Sequence, residues 1–248
     1  MQRVELDAYL NQYLDVARFR DYCPNGLQVE GRAHVERIAT GVTASVELLG
    51  AAIESGADAI IVHQGYFWRG EDSRIVGMRK RRIALLIEHN VNLYAFHLPL
   101  DAHPEVGNNA ALASRLGFQI HGHFGEQDVG CYGEINSAPT LAELAERVEQ
   151  RLERKPLVIG EGSRLVRRVA WCTGAAQNDL EDAVRLGVDV YLTGEVSDQT
   201  VHLARESGVA FIAAGRHVTE RYGIHALGTH LAREFGLEHR HIEIPKSR

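Results

Sequence analysis

The stretch from Glu36 to Gln64, "ERIATGVTASVELLGAAIESGADAIIVHQ", decides the reading of the whole chain. "RIATGV" is a strand signal, "ASVELLGAAIES" carries apolar residues at helical spacing, and "GADAIIVH" is a second strand signal. Apolar strands alternating with helices imply a parallel sheet covered on both faces. The second strand ends abruptly in His63, Gln64 and Gly65, and the aromatic run Tyr66-Phe67-Trp68 follows.

The pattern continues on both sides. Residues 4–14 predict an opening helix, with Val4, Leu6, Tyr9, Leu10, Tyr13 and Leu14 on one stripe. "DYCPNGLQVEG" (21–31) reads as a loop punctuated by Pro24 and Gly26. Downstream, "RIALLIEHN" is helical, "VNLYAFH" is a strand and "NNAALASRLG" is a helix with a glycine stop. After residue 125 glycines and prolines break the chain into shorter pieces. One clear amphipathic helix stands there, "TLAELAERVEQRLE" (140–153), with Thr140 as cap and Glu143 completing a capping box.

Then the opening pattern returns. "RRVAWCTGAAQNDLEDAVRLGVDVYLTGE" (167–195) repeats strand, Thr-Gly turn, helix, Gly-x-Asp, strand and polar end, with a two-residue offset at the first turn. "GVAFIAAGRH" (208–217) likewise echoes "NVNLYAFH" (90–97). The order of elements predicts a duplicated α/β module with mostly parallel sheets flanked by helices, in two similar subdomains. The change of texture puts the first module at 1–128 and the second at 129–248, the C-terminal helix or strand packing back on the first.

Bulk properties narrow the function. At 248 residues the chain can bury a sizeable core as one large domain or two smaller ones. No apolar stretch has the length of a membrane span. Cys23, Cys131 and Cys172 are odd in number and form no C-x-x-C pair, which points to a reducing cytoplasm. A formal net charge of -6 argues against nucleic acid as the main partner, because phosphate binding needs clustered cations. The one basic run, Arg79-Lys80-Arg81-Arg82, reads as a solvated helix face. Thirteen histidines are the compositional oddity, and several, such as His121, His123, His239 and His241, read as loop or strand-edge residues without special duty.

Ligands of open α/β sheets collect beyond the carboxyl ends of the strands. The groups to examine are therefore His63 and Gln64, His97 with Asp101, Gly194 with Glu195, and Arg216, His217 and Glu220. Pro99 bends the chain after His97, so that Asp101 can point back at a strand end. Arg216 and Glu220 stand at i and i+4, and His217 and Glu220 at i and i+3, so each pair can share a helix face. Convergent carboxylates and imidazoles need a cation to join them.

The segments "DYCPNGLQVEG", "TGVTAS", "ADAIIVHQGYFWRG", "LPLDAHPEVGNNAALASRLG" and "FIAAGRHVTERYG" resemble the GTP cyclohydrolase I type 2 homologues, the YbgI-like proteins, nearly end to end. That resemblance implies a toroidal homo-hexamer, a trimer of dimers, with two adjacent divalent metals at each site. The implied ligands are a His-His pair ending a strand, an Asp in an L-D-x-H bend, and a His and a Glu in a G-H-x-x-x-E turn. His63, Asp101 and Glu220 match. Gln64 stands where the second histidine of the pair is expected, and Arg216 where the histidine of the turn is expected.

Neither substitute replaces an imidazole, since an amide oxygen is a weak ligand and a guanidinium has no lone pair to give. Two states follow. In one, Arg216 takes the place of a metal between Asp101 and Glu220, aided by Gln64, and the protein is metal-free. In the other, His63, Asp101 and Glu220 hold one ion of the zinc, manganese or iron class, three ligands with an open position. The corresponding functions are a metal-dependent hydrolase of a nucleotide-like or phosphorylated small molecule, and a non-catalytic ring whose pocket binds an anion or serves a regulatory role. His97 is the acid/base candidate beside Asp101 and Glu220, and Gln64, Arg216, Tyr66 and His217 are expected to line the pocket.

Overall fold

The computed structural model describes residues 1–244. The chain divides into two compact units, one made of Met1–Gly107 with Gly223–Arg248, the other of Asn108–Tyr222. The boundary expected at 128 thus lies at Gly107 instead. The physical reason is the helix Asn108–Leu116, whose Leu112, Ala113 and Leu116 are buried in the core of the second unit with Trp171 and Leu192. Asn109, 1% exposed, fastens it there: its Oδ1 accepts from Thr173 N at 3.0 Å, and its Nδ2 donates to Val129 O at 3.0 Å.

The first unit is built on a five-stranded sheet. In spatial order its strands are Gly26–Val29, Asn92–Ala95, Ala59–Gln64, Arg37–Thr43 and Glu238–His241. All pair in parallel except Gly26–Val29, an antiparallel edge strand inside the segment read as a loop. The strand Ala59–Gln64 is buried at every position, as a central parallel strand requires. Helix Val46–Glu54 is capped by Ser45, which accepts from Leu48 N at 3.2 Å, and completes the predicted strand–helix–strand unit. The last strand returns to this sheet beside Arg37–Thr43.

The second unit carries a six-stranded sheet in the order Phe118–Phe124, Gly130–Ile135, Arg168–Trp171, Val190–Thr193, Ala210–Ala213 and Leu157–Ile159. Only its three consecutive central strands, from Arg168 to Ala213, pair in parallel, so parallel pairing predominates in the first unit and the second is mixed. The expected helix occupies Leu141–Leu152, with both capping-box hydrogen bonds formed at Thr140 and Glu143.

The duplication is visible atom by atom. Asp58 Oδ2 accepts from the backbone N–H groups of Glu36 and Arg37, both at 2.9 Å. Asp189 Oδ2 does the same for Arg167 and Arg168, at 2.9 and 2.8 Å. Each aspartate's own N–H donates to the residue heading the neighbouring strand, Arg37 or Arg168, at 2.8 Å. The Gly-x-Asp turn therefore ties one strand to the next in both units.

Candidate functional site

Two strand ends, the short helix after the second and the loop 21–25 assemble a polar cluster in the first unit. His63, fully buried, is the fifth residue of its strand, and its Nδ1 donates to Phe96 O at 2.8 Å. A carbonyl can only accept, so the proton of neutral His63 sits on Nδ1 and the lone pair on Nε2. Nε2 faces Asp101 Oδ1 at 3.5 Å. Asp101, 5% exposed, lies in the short helix Leu98–Ala102, which has Pro99 in its first turn. His97 caps that helix, and its ring lies 5.2 Å from the His63 ring, centroid to centroid. Donor atoms of His63, His97 and Asp101 all come within 4.8 Å of one another.

Asp21 holds His97 in place. Its Oδ1 meets His97 Nδ1 at 2.8 Å, and its Oδ2 accepts from Leu98 N and Asn25 Nδ2, both at 2.9 Å. Asn25 Oδ1 in turn accepts from His97 N at 2.7 Å. Burial works to raise the Asp21 carboxyl, but the hydrogen bonds from His97, Asn25 and Leu98 outweigh it and hold the group below its ordinary range. Cys23 shares this corner with Asp21 and His97. Burial, with the Asp21 charge, pushes its thiol up to about 12, so it stays protonated rather than acting as a soft anionic donor.

The aromatic run divides its labour. Tyr66 was expected to line the pocket, but it is 5% exposed and its hydroxyl donates to Ala44 O at 2.7 Å, which makes it a fastening of the core. Trp68 stands edge-on to His97, with ring centroids 4.9 Å apart. Gln64 is buried beside His63, its backbone carbonyl accepting from Ala44 N at 3.0 Å.

The second cluster lies wholly in the second unit. Arg216 begins the long helix Arg216–Phe235, and its Nε meets Glu220 Oε1 at 3.2 Å. Glu220 is 2% exposed, so the pair is largely withdrawn from water on the carboxylate side. Arg216 Nη1 also approaches Glu195 Oε1 at 3.7 Å. Within this unit Arg216 thus joins the carboxylates of Glu220 and Glu195. Gly174, Gly194 and Gly215 close the three strand ends here, with Gly194 N donating to Gly174 O and Gly215 N to Gly194 O, each at 2.9 Å. A Cβ on Gly174 would stand 2.6 Å from Glu220 Oε1. His217 is half-buried on the helix's first turn.

Sequence reasoning paired His97 with Asp101 and put His63 with Asp101 in one ligand set, and the structure brings donor atoms of all three within 4.8 Å of one another. It assigned Glu220 to the same ligand set; within the second unit Glu220 Oε1 meets Arg216 Nε at 3.2 Å. It missed Asp21 and Asn25, whose only signal was their place in the quoted "DYCPNG" segment.

Two α/β units that end their parallel strands in polar clusters define the class of protein. This chain belongs to the Duf34/NIF3 (NGG1p interacting factor 3) family, whose sequence model matches residues 1–247. It is 52% identical over 238 residues to a GTP cyclohydrolase 1 type 2 homolog of Pseudomonas aeruginosa, covering 95% of this chain and 94% of that one. A relative of the same name in Escherichia coli K12 is 50% identical over 246 residues, 99% of both chains. Among solved structures, "protein ybgI, unknown function" superposes with a TM-score of 0.96 at 50% identity, covering 99% of each chain. TTHA1606 from Thermus thermophilus superposes with 0.89 at 36% identity over the full length of both. Among the described residues no helix is long and apolar enough to cross a membrane.

Proposed function

We propose that this chain is a metal-dependent hydrolase of a nucleotide-like or phosphorylated small molecule, working with one divalent ion held by His63, His97 and Asp101. The observation that carries the reading is the outer arrangement of the two imidazoles. His63 gives its Nδ1 proton to Phe96 O and His97 turns its Nδ1 to Asp21, the way proteins orient histidines whose other nitrogen binds a metal. Two imidazoles and a carboxylate suit the zinc, manganese or iron class and leave a position open. A bound ion of that class would supply Lewis acidity toward a phosphoryl or carbonyl oxygen. In this assignment His97 is a ligand rather than the acid/base group, because a nitrogen that coordinates cannot also carry the reacting proton. Asp21 fixes the His97 ring, and Trp68 covers its edge.

The names of the relatives support the family and suggest a nucleotide substrate. The other reading, a non-catalytic ring with an anion pocket or regulatory role, needs a cation to spare. Arg216 is shared between Glu195 and Glu220, which weighs against it. A cytoplasmic homo-hexamer belongs to the proposal as well, and light scattering should return about six times the 27.5 kDa chain mass.

Metal analysis of protein purified without chelator tests the centre. About one equivalent is expected in the wild type and none in Asp101→Ala, with manganese- or zinc-stimulated turnover of nucleotides or phosphoesters lost in the same variant. A wild type without metal or turnover, whose melting temperature rises with added phosphate, would sink the hydrolase and support the anion pocket.

A further inference from the structure

The strand Glu238–His241 carries two histidines that neither the family resemblance nor the candidate centre uses. His239 and His241 stand at i and i+2, so they project from the same face of the sheet. Both reach one oxygen: Thr40 Oγ1 lies 2.8 Å from His239 Nε2 and 3.0 Å from His241 Nδ1. A hydroxyl has a single proton, so one of the two nitrogens accepts it and the other donates to the oxygen.

A third imidazole closes on the pair. His225, exposed on the helix Arg216–Phe235, has its ring 4.9 Å from that of His241 and 5.8 Å from that of His239. Glu243 Oε2 stands 3.4 Å from His241 Nε2. The helix passes His239 at Gly228, where any Cβ would collide with the His239 ring. Burial, then the neighbouring His225 and His241, push His239 down to about 4, so it is a neutral imidazole at physiological pH.

We propose that His225, His239 and His241 form a second transition-metal site, with Glu243 as a carboxylate beside it. Two histidines one residue apart on a strand chelate without backbone change, and three imidazoles are a ligand count that zinc and cobalt accept. Thr40 Oγ1 already draws His239 Nε2 and His241 Nδ1 toward one point, at 2.8 and 3.0 Å. The site is independent of the hydrolase reading, because none of its residues belongs to the His63, His97 and Asp101 cluster.

The test uses the full chain without a histidine tag, in the His63→Ala/Asp101→Ala background, so that the candidate centre cannot contribute. The chain is stripped with chelator and titrated with Co2+, then with Zn2+ in competition. About one equivalent of Co2+ with visible ligand-field bands is expected, displaced by Zn2+. Affinity should drop about tenfold or more in His241→Gln, and in His225→Gln, whose exposed position spares the fold. Absence of Co2+ binding in the background variant overturns the proposal, as does unchanged affinity in both glutamine variants.

Discussion

Laid on one another by their hydrogen bonds, the two units match residue for residue where the scaffold is concerned and part where chemistry is concerned. Phe96 N donates to Val62 O at 3.0 Å in the first, and Ala214 N to Thr193 O at 2.8 Å in the second. Asp101 N donates to His97 O at 3.0 Å, and Thr219 N to Gly215 O at 3.2 Å. His63, His97 and Asp101 therefore correspond to Gly194, Gly215 and Thr219. One copy of the module places three metal-competent side chains at its strand ends. The other closes the same positions with backbone, and Thr219 Oγ1 accepts from Gly174 N at 3.1 Å. Duplication kept the Gly-x-Asp tie and left the strand ends to diverge.

The sharpest way to break this comparison is to ask the second unit for a side chain. A Cβ on Gly194 would meet Gly174 O and, at 2.7 Å, Arg216 Cα, and backbone atoms cannot swing aside. Gly194→Ala should cost more than about 3 kcal/mol in urea unfolding. A loss under about 1 kcal/mol would mean that the strand ends are not closed as described. The ties come next. Asp58→Ala removes a carboxylate that holds two backbone N–H groups and also meets Arg32 Nη1 at 2.8 Å. It should cost about 3 kcal/mol, and the more exposed Asp189→Ala about 2. Equal costs would show that the Arg32 contact contributes no more than the looser Arg164 contact of Asp189 at 3.8 Å.

Asp21→Asn sharpens the chemical half of the comparison. The amide keeps the shape but loses the charge on His97 and sets an N–H donor where an oxygen accepted, so metal affinity should fall by roughly tenfold to a hundredfold and stability in urea by about 1–3 kcal/mol. Unchanged metal content would remove Asp21 from the site. The smallest effect concerns His239, on an edge strand for which the second unit has no parallel counterpart. Its folded value of about 4 lies below the ordinary 6.5, so the unfolded chain binds the extra proton between them. The stabilisation from neutral His239 is present above about 6.5 and is lost as pH falls toward 4. His239→Gln should flatten the stability profile in that window, and an unaltered slope would place the titrating group elsewhere.

Much of this was legible beforehand. The apolar strands of 36–64 and the Gly-x-Asp turn identified the module, and Thr140 with Glu143 announced a helix start that formed as read. Strand-end logic reached His63, His97 and Asp101, because a polar residue ending a buried strand stands out locally. Asp21 did not stand out, since its meaning comes from a partner 76 residues away. Arg216 and Glu220 were readable as an i, i+4 pair, but Glu195 acquires its role only when two strand ends meet. The helix 108–116 looked like a continuation of the first module. Its burial against Trp171 depends on a core whose residues lie far downstream.

The second unit is spliced into the first between Gly107 and Gly223. Growing from its N-terminus, the chain completes Asn108–Tyr222 while the first sheet still lacks Glu238–His241, the strand that pairs with Arg37–Thr43. The younger stretch of sequence can thus reach its final form before the older one, and the sheet presenting His63 waits for Glu238–His241 to be made.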